Sequence, residues 1–279
     1  MASVTREEVE KKVAAGERMY GVDMEGLDLS GAHLEGAMMI KCNFRNANLQ
    51  DARLDAANLS RSRFDGANMQ RISLQEANLS SCNLTEANLS QSRVIETTFT
   101  SAVLQYARFT DADMTNVYLN QATATLCDFT GAQMRRSLLS KGTFLLCQFS
   151  DVQADFMVAT QADFNGSVFS RSTLDRSNFA GANLGLTDLE ECNIRGSQLK
   201  QANFVGAKLE RARFTKSSLE YAKMMAANAH GALINGANLR GAFLMEGDFT
   251  NVNFDASFML QAKTDGARLD GASFKDARR

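Results

Sequence analysis

Five cysteines and two histidines are the residues of this 279-residue chain best suited to metal ligation, redox chemistry or nucleophilic catalysis. A structural zinc site needs ligands paired at short spacings. Yet Cys42, Cys82, Cys127, Cys147 and Cys192 never stand closer than twenty residues apart. All five share one register, at numbers ending in 2 or 7, otherwise held by small residues. They therefore read as thiols substituting for alanine in a packed interior. His33 and His230 are far apart, with no cysteine or carboxylate set at ligand spacing, and read as surface histidines. Serines are abundant, but no nucleophile, base and orienting group stand out, and no phosphate-cradling glycine loop occurs. The expectation is a non-enzyme without catalytic residues, metal or cofactor.

The elements that carry these residues are set by a period of five. From Met24 to Phe274, forty-six of the fifty-one positions numbered in 4 or 9 are Leu, Phe, Met, Ile or Val. The exceptions are Ala124, Ala154, Ala159, Ala229 and Thr264. Two residues earlier, forty-nine of fifty-two positions are small or Val, only Leu27, Ile72 and Met157 being larger. Five matches neither the helical period of 3.6 nor the strand period of 2. It demands a short straight segment and a corner in every unit, repeated as a solenoid. Sixteen of the nineteen glycines fall at numbers ending in 1 or 6, the corner, where a permissive backbone is useful.

Composition narrows the class further. Hydrophobic residues make up 44% and charged residues 22%, with a formal net charge of -2, which excludes disorder and a bulk basic nucleic-acid-binding domain. No apolar run reaches the roughly twenty residues of a membrane span, and no signal-peptide core opens the chain, so a cytoplasmic location is expected. Export independent of a signal peptide is compatible with the same observations. Proline is absent altogether. Near the start, Thr5-Arg6-Glu7-Glu8 forms a capping box followed by Val9 and Val13, with Gly16 as a stop, which predicts a short helix. The domain reading is a capping helix and lead-in over 1–21 and one continuous repeat over 22–279.

Units such as Ala47-Asn48-Leu49-Gln50-Asp51, Ala77-Asn78-Leu79-Ser80-Ser81 and Ala237-Asn238-Leu239-Arg240-Gly241 resemble the pentapeptide-repeat family. The resemblance covers about residues 22–278. It implies an all-β fold, a right-handed quadrilateral parallel β-helix with four units per coil and about thirteen coils, the short helix capping its first coil. Residues twenty apart then stack at about 4.8 Å, giving a rod roughly 60 Å long. Cys127 and Cys147 would be the only cysteines near enough to bridge, and a reducing setting argues against that bond. Thr5 to Leu29 also resembles the starts of repeat segments found alongside type VI secretion components. The best-known functional members resemble DNA through an acidic surface, protect gyrase and dimerise through their carboxyl ends. This chain departs from them in its mixed charge, its unbroken register and its lack of a carboxyl-terminal helix.

A chain of this design works through its surface, so apolar residues at outward positions are the informative ones. Tyr106, Leu126, Leu146 and Leu186 share one column, Tyr118, Leu138 and Val158 an adjoining one, with Val103 and Leu145 between. The candidate partner-binding residues are Tyr106, Tyr118, Leu138, Leu145, Leu146, Val158 and Leu186. A second patch for self-association or a partner comprises Tyr221, Met225, Phe243, Met245, Phe258 and Leu260. At Leu126 and Phe156 two readings stand open: an exposed surface, or a local bulge that turns them inward to refill the core beside Ala124, Ala154 and Ala159. Opposite charges twenty apart, as at Asp51 and Arg71, predict ladders of surface ion pairs. The functional expectation is a protein-binding scaffold or adaptor, with a bacterial secretion system as one setting; the alternative is a DNA-mimicking modulator of a type II topoisomerase (gyrase). Another protein, or a second copy as a homodimer, is the expected partner, with neither nucleic acid nor a membrane span involved.

Overall fold

A computed structural model describes residues 4–279, so residues 1–3 of the expected capping segment lie outside the described residues. The structure divides into two compact units, 1–143 and 144–279.

In the first unit, α1 (Arg6–Ala14) begins at Thr5, whose hydroxyl accepts from the Glu8 N–H while the Glu8 carboxylate accepts from the Thr5 N–H. Both halves of the capping box are thus present. Val9 is buried, and Gly16, at φ +68°, ends the helix by donating its N–H to the Val13 carbonyl. Arg6 fastens the helix to the first coil through Nη1 and the Ser30 carbonyl, 2.9 Å away. After α1, β1 (Arg18–Tyr20) pairs in parallel with β2 (Met38–Ile40), Met19 opposite Met39. From there single-residue parallel bridges recur every five residues, each joining partners twenty apart, such as Asn43 with Arg63. A coil is therefore twenty residues with four sides.

One unit shows why the period is five. Phe44 donates its N–H to the Arg63 carbonyl of the next coil, and Asn46 to Asp65. Ala47 closes the corner on the Phe44 carbonyl, and Asn48 donates back to Leu27. The remaining N–H, on Arg45, is taken by the Asn43 side chain. Every backbone donor of that unit is used, and a proline at any of the five positions would delete one. The asparagine before the bulky residue is thus a turn-forming residue as well as a surface one.

Corner residues sit in the left-handed region, which the sequence associates with glycine. The structure corrects that emphasis: non-glycine residues from Lys41 to Asp276 hold φ between 52° and 63° at the same positions. Hydrogen bonds on both flanks fix each corner and offset a conformational cost of about 1–2 kcal/mol.

The second unit repeats the pattern, with Asp163 bridged to Asn183 and Phe164 donating to the Asn183 carbonyl. Its interior holds a phenylalanine cluster: Phe149 stacks on Phe169 with centroids 4.6 Å apart, and Phe164 meets Phe144, Phe149, Phe169 and Phe179. Ser177, Ser197 and Ser217 form a buried ladder, the Ser177 and Ser197 N–H groups donating to the hydroxyl of the next serine. In the last coil Thr264, Leu269 and Phe274 are only half-buried, and the Arg279 guanidinium lies 3.7 Å from the Phe274 ring centroid. No helix among the described residues is long and apolar enough to cross a membrane.

Candidate protein-binding sides

Within each unit the four sides are numbered by their bulky inward residue. Side 1 carries Phe44 and Phe164, side 2 Leu49 and Phe169, side 3 Leu54 and Leu174, and side 4 Leu59 and Phe179. The inward pair of every repeat is spent on the core, so anything recognised outside must be read from the three remaining residues.

The residues first considered for chemistry lie in that core or are dispersed. All five cysteines are buried. Burial pushes the Cys82 thiol up to about 12 and raises those of Cys42 and Cys192, so the reactive thiolate is suppressed. His33 and His230 are exposed, the latter with Nδ1 2.8 Å from the Thr250 hydroxyl oxygen. Among the described residues no group of three or more His, Cys, Asp or Glu is arranged to hold a metal ion.

Sides 2 and 3 carry most of the ion pairs. In the first unit Arg71 grips Asp51 through Nε and Nη2, at 2.7 and 2.8 Å, and Arg53 reaches Glu35 at 3.0 Å. The second unit repeats the arrangement in Arg171 with Asp151 (2.7 Å), Arg195 with Asp175 (2.6 Å) and Arg268 with Asp248 (2.9 Å). Arg211 serves both Glu190 and Glu191. The partner arginines hold the Asp51 and Asp151 carboxyls below the ordinary range, chiefly by hydrogen bonding.

Side 1 of the second unit is different, whereas in the first unit the same side carries the pairs Arg45 with Glu25 and Arg63 with Asp65. Between residues 144 and 245, the outward positions of side 1 in the second unit include only two charged residues, Asp163 and Lys223. Leu146 and Leu186 are 51% and 66% exposed there, and Val205, Met225 and Met245 share the neighbouring column. Both leucines fold over a glycine of the next coil. A Cβ placed on Gly166 would stand 2.7 Å from Leu146 Cδ2, and one on Gly206 would stand 2.9 Å from Leu186 Cδ2. Tyr221, at the corner from side 4 into side 1, lies over Gly241 in the same way, its Cε1 2.5 Å from such a Cβ. Phe243 carries Lys263 5.1 Å from its ring centroid, while Phe258 and Leu260 continue the patch on side 4. In the first unit Tyr106 and Leu126 are 54% and 46% exposed on side 1, with Tyr118 on side 4. Tyr106 also lines an open depression of about 410 Å³ with Glu86, Asn88 and Arg108, relief that the sequence gives no reason to expect.

Two expectations are refined by this geometry. Leu138, Leu145, Val158, Met225, Phe243, Met245 and Phe258 are half-buried, not fully exposed. The open choice at Leu126 and Phe156 resolves outward: Phe156 is 45% exposed, while Ala124, Ala154 and Ala159 remain fully buried in register. No bulge forms there; the larger Met157 is itself buried between Ala154 and Ala159 in the sequence and supplies volume. Sequence reasoning missed Val205, the glycines beneath the leucines, and exposed Leu233 and Tyr20. The outward register marks Val205, Leu233 and Tyr20; the glycine pairs become visible by reading residues twenty apart together.

The comparisons agree with this architecture. The model for pentapeptide repeats matches eight times, over 18–55, 42–80, 52–91, 82–121 and 102–140, then 158–190, 182–220 and 192–228. Similar solved structures include HetL, a pentapeptide repeat protein involved in heterocyst differentiation regulation from the cyanobacterium Nostoc. It is 21% identical over 97% of each chain, with a TM-score of 0.43. QnrB1, a plasmid-mediated fluoroquinolone resistance protein, is 18% identical over 63% of this chain and 93% of its own, TM-score 0.32. A pentapeptide repeat protein of the Arabidopsis thaliana thylakoid lumen is 23% identical over 45% of this chain and 67% of its own, TM-score 0.24. No curated protein matches. At these identities and scores the likenesses carry nothing about what this chain binds.

Proposed function

Because this chain belongs to the pentapeptide-repeat family, whose members form right-handed quadrilateral β-helices, we propose that it is a non-enzymatic scaffold that binds another protein through sides 1 and 4. The observation that carries the reading is the segregation of charge. In the second unit every ion pair among the described residues but Lys200 with Glu220 lies on sides 2 and 3, whereas side 1 presents Leu186, Met225, Met245 and their neighbours in a setting poor in charge. Paired surface charges are solvated structure worth little to a partner. A contiguous apolar side is what an interface core requires.

DNA mimicry would call for an unpaired acidic side. Instead, the carboxylates Asp51, Asp151, Asp175 and Asp248 each face an arginine, so the topoisomerase reading stands second. Affinity purification of tagged protein from its own host tests the proposal. Leu186→Asp with Met225→Asp, or Tyr118→Asp with Leu138→Asp, removes the co-purifying partner while the circular dichroism spectrum stays unchanged. Retention of every partner by both folded double variants would refute it.

A further inference from the structure

The carboxyl-terminal patch of the second unit differs from the rest of side 1 in what surrounds it. Lys223, Phe243 and Lys263 are consecutive bridge partners, so the ring stands between two lysines, Lys263 over its face. Beside them Met225 and Met245 share a column. On side 4, Phe258 bridges Arg278, and Arg240 occupies the outward position just before the corner at Gly241, on which Tyr221 lies. Four cations thus rim one aromatic and methionine patch.

Those cations are unspent in ion pairs. Arg171, Arg195, Arg211 and Arg268 of the same unit each reach a carboxylate at 2.9 Å or less. Among the described residues no carboxylate lies within ion-pair distance of Lys223, Arg240, Lys263 or Arg278, all of which are exposed. Glu220, the nearest acid in the Arg240 column, is taken by Lys200 at 3.8 Å and by the Asn238 amide at 2.6 Å. Glu246 and Asp265 also border the patch, at the far end of side 1.

An apolar centre rimmed by an excess of positive charge is matched by an apolar segment flanked by carboxylates. Charge complementarity at a rim chiefly sets encounter rate and partner choice, while buried apolar anchors supply the affinity. Resting on the side-1 reading above, we propose that this patch docks an acidic amphipathic segment of its partner protein, with large apolar residues against Met225, Met245 and Phe243 and Asp or Glu against the four cations. An anionic bilayer offers the same charge but suits this surface less well. Met225, Phe243, Met245 and Phe258 are half-buried, which suits a laid-on segment and leaves little apolar surface to insert into a bilayer.

Selection of a displayed random sixteen-residue peptide library on the intact chain tests the idea, with phosphatidylserine vesicles and neutral phosphatidylcholine vesicles as parallel arms. Enriched peptides are expected to combine aromatic or aliphatic residues with a net negative charge. Their binding should weaken at least tenfold in 0.5 M salt and at least tenfold in Lys223→Glu/Lys263→Glu, with melting temperature unchanged. Enrichment of neutral or basic peptides that Met225→Asp abolishes would overturn the acidic-partner inference and leave the side-1 reading standing. Enriched peptides indifferent to Met225→Asp, or no enrichment at all, would overturn the inference and count against side 1 as the binding side. Capture by phosphatidylserine vesicles without peptide enrichment would overturn it in favour of a membrane surface.

Discussion

Leu186 lies across Gly206, its Cδ2 2.9 Å from where a Cβ on that glycine would be. The glycine does two things, holding a corner at φ +65° and leaving room for an apolar side chain to lie down on the surface. Gly181 holds the same conformation at φ +67° with only Gln161 Cγ nearby, 3.6 Å from a Cβ position. Gly181→Ala and Gly206→Ala should therefore lose similar stability, about 1–2 kcal/mol by urea unfolding, the left-handed cost common to both. Only Gly206→Ala lifts Leu186 off the side and weakens partner binding.

Phe164 touches four other phenylalanines in the interior of the second unit. Truncation there removes ring contacts and leaves a cavity in a stack held by neighbour-to-neighbour packing. Phe164→Ala should cost about 3–5 kcal/mol in chemical denaturation. Phe164→Leu, which keeps an apolar branch in the same space, should cost less than half as much.

The thiols provide a test of burial. With Cys82 pushed up to about 12 and Cys192 raised by burial, a thiol reagent at pH 8 should react with neither in the native protein. Mass spectrometry should show all five cysteines modified once guanidinium unfolds the chain, and rapid native labelling of Cys82 would contradict the register.

The charge ladders predict a direction in pH. Asp51 and Asp151 have carboxyl pKa values lowered on folding, so their contribution is complete above the unfolded value near 4 and is lost as pH falls through the folded one. Thermal melts should show little change from pH 7 to pH 5 from these pairs and a decline below about pH 4. Asp151→Asn should flatten that decline without greatly changing the melting temperature at neutral pH, because the pair is at the surface.

Much of this architecture is legible in the sequence because each inward position is constrained identically and repeatedly. Leu49, Leu79 and Leu239 state the register, and Thr5 with Glu8 states the start of α1. The surface is less legible, because its meaning lies between coils. Leu126 and Phe156 can be read as core or as surface from the local sequence; only the packed stack shows that their neighbouring alanines keep register and leave them outside. Likewise Lys263 resembles any solvated lysine until its position over Phe243, with no carboxylate in ion-pair contact, is seen. Asn43 reads as a polar filler but serves a backbone N–H at the corner.

The central claim is that the partner meets sides 1 and 4 and leaves sides 2 and 3 to water. Site-specific photocrosslinking in the native host measures this directly, with a benzophenone amino acid placed singly at Leu186 and Met225 on side 1 and at Glu191 and Arg195 on sides 2 and 3. The account predicts a discrete protein adduct from Leu186 and Met225 and none from Glu191 or Arg195. Adducts confined to Glu191 or Arg195 would contradict it.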